Sequence, residues 1–427
     1  MYKVSTRAIF GPQEIEEVFS TIRILHFCRG RIAWECTEFE DIEGTVPGIP
    51  SIKLIGGEIR ESVPTKGLDV LHGDQLRRER LRVKHYNINL VSETPEDYRL
   101  VCALELWARA VEMYSKTDLT MGGDKLIALS GIASQMATII GSASQPAEYV
   151  AGLWKPRLVG QLLWKIEPVF RGSECEAGAF DYPSTRSEKY RAPSFSWASI
   201  DAQHGNGITY GEPLGPEDRV LVEIPPEADR NKIKRDVDKS VWVDTSTTNK
   251  YGLIRGGHLL LWGWLRRVKL QRDGVFYSWY LQGRNRPGEK DASGRDHGER
   301  IDTEQHLNVL MDCPGDDNEN DKLIHSAKVY CLPVAFGPPT AAPQSKDLTC
   351  LLLEQVSLSS EVESQAGWHQ DYRGAFRRVG LTKLTPSFDS VAMMYILDKL
   401  DDDQHIIPTS HTEGYDDQTG KHLIRLI

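Results

Sequence analysis

Apolar residues recur at helical spacing in the middle of the chain. The steps between them are four, three, four and three, which places one stripe on a single helix face. The stripe consists of Leu100, Leu104, Trp107, Val111 and Tyr114. Thr94 is a typical N-cap residue, and Pro95 suits the first helical position. The pattern predicts an amphipathic helix from 94 to about Lys116.

A second apolar stripe follows at the same kind of spacing. Its members are Leu126, Leu129, Ala133, Met136 and Ile140. Gly122, Gly123 and Asp124 are typical of a helix start, so a second helix is predicted directly after them. A third, shorter helical segment is predicted from Pro146 through Trp154 to Trp164. Together these segments predict a small helical layer over about 94–165, within a helical region that spans 94–187.

Beyond residue 188 the pattern changes to short β-type runs separated by polar turns. The runs are FSWASI, RVLVEI, HLLLWGWLRRVKL, GVFYSWYL, HSAKVYCLPVAF, LTCLLLEQV, YRGAFRRVGLTKL and HLIRLI. Because no helical pattern separates them, the region 188–427 is predicted to be mainly antiparallel, with a sandwich-like or barrel-like form. The predicted fold class is therefore α+β.

The remaining stretches are predicted from turn residues and polarity. Two apolar runs flank Arg29 and Gly30 between Ile22 and Glu35, which predicts a β-hairpin. The stretch 44–93 is predicted to be a linker or irregular segment. The polar stretches 285–304 and 313–322 are predicted to be mobile loops.

Composition and charge narrow the classes of partner. The chain has 427 residues, 40% of them hydrophobic, and a net charge of −10, which disfavours direct binding to nucleic acid. Seven cysteines at irregular spacing predict reduced, mostly buried thiols. The apolar runs are too short to predict a membrane span, and no secretion signal is evident. We therefore expect a cytoplasmic protein without membrane or nucleic-acid partners.

The segment RAPSFSWASID, Arg191 to Asp201, has the alternation of a strand. In an extended chain Pro193, Phe195 and Trp197 would share one face, with small residues opposite, which predicts a packed strand. A catalytic alternative uses Ser199, Asp201 and His204 as nucleophile, acid and base. We favour packing, because no nucleophile-elbow motif is present.

Other candidate sites have a structural alternative that we favour. Tyr372 with Arg373, Arg377 and Arg378 could hold an anion, but arginines of this kind more often protect a sheet edge. The acidic run 316–321 lacks the glycine and glutamate of a calcium loop. The tryptophans predicted to pack in the core, rather than to form a stacking platform, are Trp154, Trp164, Trp262, Trp264 and Trp279.

Several segments occur in the order and approximate spacing found in one protein family. They are DKLIALSGIA from Asp124, AGLW from Ala151 with LLW to Trp164, RAPSFSWAS from Arg191, CLLL from Cys350, and Tyr372 with the RVG that starts at Arg378. With these segments the chain resembles fungal heterokaryon-incompatibility (HET domain) proteins. Upstream, TRA, RILHF and WEC resemble the end of the HET domain itself. The resemblance implies that 1–43 are a C-terminal remnant of that domain, whose N-terminal part is missing.

The resemblance implies a role in nonself recognition and programmed cell death. HET domains are distantly similar to TIR signalling domains, some of which cleave NAD, so an enzymatic alternative applies to a form with a restored N-terminus. For this chain we predict no catalysis and no cofactor. Another alternative is a regulatory or interaction scaffold for an effector, with HET or receptor-type proteins as partners. The third alternative is that the chain is a non-functional remnant.

No catalytic, cofactor-binding or metal residues are assigned. The residues that match the family motifs are predicted to be structural, and they are Asp124, Lys125, Gly152, Leu153, Trp154, Arg191, Pro193, Ser194, Trp197, Ser199, Tyr372, Arg378 and Gly380.

Overall fold

A computed structural model describes the chain in segments. The described residues are 2–6, 23–28, 31–36, 40–42, 52–55, 58–61, 95–117, 122–166, 169–170, 180–181, 184–202, 207–210, 220–226, 239–245, 248–273, 276–281, 306–313, 323–325, 329–337, 346–356, 375–397 and 412–427. The chain divides into two compact units, Met1–Ala147 and Glu148–Ile427. The predicted mobile loop 285–304 lies outside the described residues, as does all of 313–322 except Cys313.

The first unit begins with short strands. They are β1 (Tyr2–Thr6), β2 (Arg23–Cys28), β3 (Arg31–Cys36), β4 (Glu40–Ile42), β5 (Ile52–Ile55) and β6 (Glu58–Glu61). β1 runs parallel to β2, while β2 pairs antiparallel with β3, which confirms the predicted hairpin at Arg29 and Gly30. β5 and β6 form a separate hairpin inside the stretch predicted to be a linker.

Two helices complete the described part of the first unit. Helix α1 spans Pro95–Tyr114 and buries Trp107, Val111 and Tyr114, as the apolar stripe predicts. Helix α2 spans Ser130–Ile140 and begins later than predicted. A 3-10 turn at Gly122–Asp124 and further turns precede it, so the predicted start of the second helix was wrong.

The third predicted helical segment is wrong, because the second unit opens with a β-hairpin. Strands β7 (Tyr149–Val150) and β8 (Leu153–Trp154) pair antiparallel across a two-residue turn. Ala151 and Gly152 have φ values of 51° and 95° in that turn. Paired positive φ angles favour a tight hairpin over a helix. Within the predicted segment, which the structure describes in full up to Trp164, the one helical turn is α3 at Leu158–Gln161.

Short two-stranded ladders connect this hairpin to the main sheet. They are β9 (Lys165–Ile166) with β14 (Ile208–Thr209), β10 (Val169–Phe170) with β11 (Phe180–Asp181), and β12 (Thr185–Arg186) with β13 (Ile200–Asp201). All three ladders are antiparallel. Where the structure describes the region 149–187, its regular elements are therefore short strands and the single turn of α3, which differs from the helical region that was predicted.

A ten-stranded mixed sheet dominates the second unit. Its strands are β15 (Val241–Thr245), β16 (Ile254–Gly263), β17 (Arg266–Asp273), β18 (Phe276–Leu281), β19 (Val309–Met311), β20 (Val329–Phe336), β21 (Leu348–Val356), β22 (Ala375–Leu384), β23 (Gly414–Asp416) and β24 (Lys421–Leu426). The order is β15-β16-β24-β22-β21-β20-β17-β18, with β19 on β22 and β23 on β24. Pairing is antiparallel except between β22 and β24.

The apolar runs predicted this sheet well. Two predicted runs are exceptions. The described residues of RVLVEI make only isolated bridges, at Val220 and Glu223, and FSWASI contributes no strand to this sheet. Both faces of β21 are buried, because Cys350 and Leu352 have no exposed surface on one face and Leu351 and Leu353 have none on the other. Helix α4 (Ser390–Leu397) contributes Ala392 and Ile396 to the core that includes Leu352.

The burial of individual side chains tests two further predictions. Cys313, Cys331 and Cys350 are buried and lie outside any disulfide, as predicted for reduced thiols. Trp154, Trp164 and Trp279 are fully buried, which confirms the predicted packing role for these three tryptophans. Within the described residues, no helix is both long enough and apolar enough to cross a membrane.

Candidate functional site

The segment around RAPSFSWAS is compact rather than extended, so the predicted strand was wrong. The Ser196 amide donates to the Pro193 carbonyl over 2.9 Å, and Trp197–Ser199 form a 3-10 turn. The Ser196 hydroxyl caps this turn by accepting from the Ala198 amide at 3.0 Å. Serine competes well for such local bonds, so its side chain can override a strand-like alternation. Both sets of alternating side chains are consequently buried.

The AGLW hairpin lies directly against this compact segment. The Trp197 indole nitrogen donates to the Gly152 carbonyl over 2.8 Å, and the Ser196 hydroxyl donates to the Ala151 carbonyl. A Cβ atom on Gly152 would lie 2.9 Å from the Trp197 indole nitrogen. Glycine is therefore required here for close approach as well as for its positive φ.

Gln161 of α3 closes the same hairpin from the other side. Its side-chain oxygen accepts from the Trp154 amide at 2.9 Å, and its side-chain nitrogen donates to the Trp154 carbonyl at 2.8 Å. The two motif residues Leu153 and Trp154 are fully buried. These contacts give the AGLW motif a structural role.

Arg378 lies at the centre of a buried polar cluster. The cluster, which we call the Arg378 junction, comprises Arg378, Asp312, Trp164, Leu162 and Ser194. The Arg378 side chain is fully buried and forms an ion pair of 3.0 Å with the buried Asp312 carboxylate. Its guanidinium donates to the Leu162 carbonyl over 2.6 Å and to the Trp164 carbonyl. It also stacks on the Trp164 ring, 3.4 Å from the ring centroid. A buried charge requires such compensation.

Hydrogen bonds between side chains and backbone connect the RAPSFSWAS segment to the Arg378 junction. The Ser194 hydroxyl accepts from the Arg378 amide at 2.9 Å and donates to the Ile427 carbonyl. The Trp164 indole nitrogen donates to the Phe195 carbonyl over 2.8 Å. Segments separated by roughly thirty to more than two hundred residues along the chain are thus held by individual hydrogen bonds.

Gly380 brings Asp312 to this position. The Asp312 amide donates to the Val379 carbonyl over 2.9 Å, next to the pairing of β19 with β22. A Cβ atom on Gly380 would lie 2.6 Å from the Leu310 carbonyl oxygen, so a larger residue would push β19 away. The glycine of the RVG motif therefore has a packing function.

The arginines of β22 have different environments, which corrects the predicted edge role. β22 is an interior strand of the sheet, bonded to β21 and β24. Arg377 pairs with Glu354, with 2.6 Å between Nη2 and Oε2, whereas Arg378 points into the junction. Tyr372 and Arg373 lie outside the described residues.

The two described residues of the catalytic alternative, Ser199 and Asp201, are each bound to other partners. The Ser199 hydroxyl is buried and donates to the Ser196 carbonyl over 2.8 Å. The Asp201 carboxylate pairs with Arg191 at 2.9 Å, and Arg191 also donates to the Ala198 carbonyl at 2.7 Å. His204 lies outside the described residues. The arrangement of Ser199 and Asp201 stabilises the turn.

The remaining motif residues lie in the first unit. Asp124 is exposed, whereas Lys125 is buried, and its carbonyl accepts from the Tyr114 hydroxyl at 2.7 Å. Among the described residues, no cluster of histidine, cysteine or acidic side chains has the arrangement of a metal site. The acidic run 316–321 lies outside them.

The ion pair of Arg378 with Asp312 was not predicted from sequence. An alternating FRRVG run contains two arginines, and the sequence does not distinguish the one that points inward. A bulge in the pairing of β22 with β21, between Leu352 and Leu353, changes the register there. Asp312 sits among apolar neighbours in the run VLMDC, which is the one local signal that a buried charge is present.

Comparison of the chain with protein-family models, with curated proteins and with solved structures finds no match.

Proposed function

We propose that this chain is a nonself-recognition protein of the HET class, and that its second unit is a structural scaffold for recognition. The observation that supports a scaffold is the convergence of three motif segments on the Arg378 junction. AGLW with LLW, RAPSFSWAS and RVG contribute to it through Trp164, Ser194 and Arg378. The family itself is proposed from the motifs alone.

Burial is the physical reason for preferring a scaffold to an enzyme at this junction. Arg378 and Asp312 have exposed side-chain fractions of 0% and 1%, and the Ser199 hydroxyl is bonded to its own turn. A catalytic group must reach a substrate atom within hydrogen-bond distance. The charges here are used to hold segments of the chain together, which favours a structural role.

Expression in a filamentous fungus tests the recognition role. The chain would be expressed from an inducible promoter, and the strain would be fused with a panel of genetically different strains. We expect growth arrest and dye uptake by dying cells in some fusions, and the same response with the surface variant Arg255→Gln. Normal growth in every fusion, with folded protein accumulating, would contradict the proposal.

The scaffold role makes a separate prediction about partners. Tagged chain isolated from these fusing cells should retain a HET or receptor-type protein, and Arg378→Met should lose that partner because its scaffold is weakened. Purified chain should leave NAD intact during prolonged incubation. Catalytic loss of NAD would favour the TIR-like enzymatic alternative over the scaffold.

Two finer features belong to the same proposal. The ten-stranded sheet would adopt a sandwich-like or barrel-like form, with its outer surface available for protein partners. Recognition after cell fusion would take place in the cytoplasm, where mixed contents meet. Fluorescent tagging in the same strains measures the location, and accumulation only in the secreted fraction would contradict it.

A further inference from the structure

Helix α4 is apolar around its whole circumference. Apart from Ser390 and the Tyr395 hydroxyl, its sequence SVAMMYIL contains no polar side chain. One side of the helix faces the core, where Ala392 and Ile396 are buried. A surface helix normally combines one apolar side with one polar side, and a helix that is apolar on every side is normally buried. The sequence of α4 therefore indicates that its outer side has a binding role.

Three apolar side chains follow one another at steps of three on the outer side of this helix. Phe388, Val391 and Met394 have exposed fractions of 82%, 40% and 58%. A spacing of three places Val391 and Met394 on one face of the helix. Helical bonding begins directly after Phe388, because the Asp389 carbonyl accepts from the Met393 amide at 2.9 Å. The three side chains expose roughly 300 Å² together, an area typical of functional patches.

The charge around this row is low although the chain is acidic. Between 387 and 397 the one residue that is charged at neutral pH is Asp389, whose carboxylate pairs with His306 at 2.7 Å. The whole chain has a net charge of −10, so two copies repel each other at long range. Contact between two copies therefore requires a surface that adds no further repulsion. The row meets this requirement, whereas a basic partner would be recognised through acidic side chains.

The row is also symmetrical in position about Val391. A two-fold axis through Val391 places Phe388 of each copy opposite Met394 of the other copy, because such an axis makes the two helices antiparallel. Methionine adapts its shape and forms favourable contacts between its sulfur and aromatic rings. We propose that this row, which we call the α4 face, is the surface through which two copies of the chain form a dimer.

The size of the α4 face determines how strong this dimer is. Its area of roughly 300 Å² per copy is smaller than the roughly 800 Å² that each partner contributes to a standard interface. The dimer is therefore weak and reversible, and it forms where the local concentration of the chain is high.

Sedimentation velocity of the purified full chain at rising protein concentration tests the α4 face. The wild type should convert from monomer to dimer without larger species, because a two-fold contact closes on itself. Phe388→Glu and Met394→Lys should each raise the dissociation constant by about tenfold or more, since each places a charge in an apolar contact. The chain with both changes should dimerise more tightly than either single variant, because each introduced carboxylate then faces an introduced ammonium group.

The matched control is Ile127→Glu, because Ile127 is an exposed apolar residue of the first unit. It should dimerise as the wild type does. All variants should keep the wild-type melting temperature at low concentration, since the changed side chains are exposed. A wild type that remains monomeric up to millimolar concentration would overturn the proposal. So would assemblies larger than a dimer, equal weakening by Ile127→Glu, or a combined variant that dimerises no better than the single variants.

Discussion

The second unit contains two buried regions that are stabilised in opposite ways. One is the apolar core between the sheet and α4, which includes Leu352, Trp279 and Ile396. The other is the Arg378 junction. Apolar burial is non-directional and scales with area, so it depends on volume and packing. The junction depends on individual donors and acceptors, since each buried polar atom without a partner is destabilising.

The first region was predictable from the sequence and the second was not. Apolar runs such as LTCLLLEQV and HLIRLI predicted strands because a buried strand needs only suitable residue types. The junction depends on long-range contacts, such as the one between Arg378 and Leu162, and on a register shift within β22. Local patterns contain no information about such pairs.

The same contrast explains the errors in the predicted elements. The run RAPSFSWASI has the alternation of a strand, but the Ser196 side chain stabilises a turn instead. The run from Pro146 to Trp164 was predicted to be helical, yet Ala151 and Gly152 adopt positive φ. In both cases a specific polar contact or backbone angle decides the local structure.

The largest expected effect comes from removing the central charge of the junction. Arg378→Met should reduce the free energy of unfolding by about 3–5 kcal/mol, because it leaves Asp312 buried without its partner. Urea denaturation followed by tryptophan fluorescence measures the change. A loss below about 1 kcal/mol would show that the two buried regions do not differ as described.

The corresponding test in the apolar core is a truncated side chain. Leu352→Ala should reduce the free energy of unfolding by about 2–5 kcal/mol through lost burial and a cavity. Leu352→Met should restore most of it, because a residue of similar volume refills the space. The same urea titration compares the two variants. Equal losses for both would mean that this core requires the shape of leucine at position 352 and not only its volume.

A buried histidine extends the comparison to pH. His258 has its pKa lowered to about 3, first by burial and then by Arg425, whose Nη1 lies 2.8 Å from Nε2, while the Lys239 carbonyl opposes the shift. The unfolded state therefore binds the proton more readily than the folded state. The stabilising contribution of neutral His258 is complete above pH 6.5 and is lost progressively as pH falls towards 3.

Between pH 6.5 and pH 5 this loss should reach about 2 kcal/mol, at roughly 1.36 kcal/mol per pH unit. Urea denaturation at several pH values measures it. His258→Gln should flatten that part of the profile, since glutamine does not titrate. A profile of unchanged slope in the variant would assign the acid sensitivity to other groups.

The smallest of these effects concerns the hairpin turn against Trp197. Gly152→Ala should lower stability by about 1–2 kcal/mol, because alanine is strained at a φ of 95° and its Cβ would crowd the indole. Thermal melting measures it. Gly123→Ala is the control, since a Cβ atom there would have no neighbour within 4 Å. Equal shifts in both variants would remove the argument for close approach at Gly152.

The central claim is that the Arg378 junction holds the motif segments together through a specific ion pair. A double-mutant cycle of Arg378→Met and Asp312→Leu, measured by urea denaturation, tests it most directly. We predict that each single change is strongly destabilising and that the double variant recovers at least half of the summed loss, since neither charge is then left unpaired. Additive losses, with no recovery in the double variant, would contradict the account.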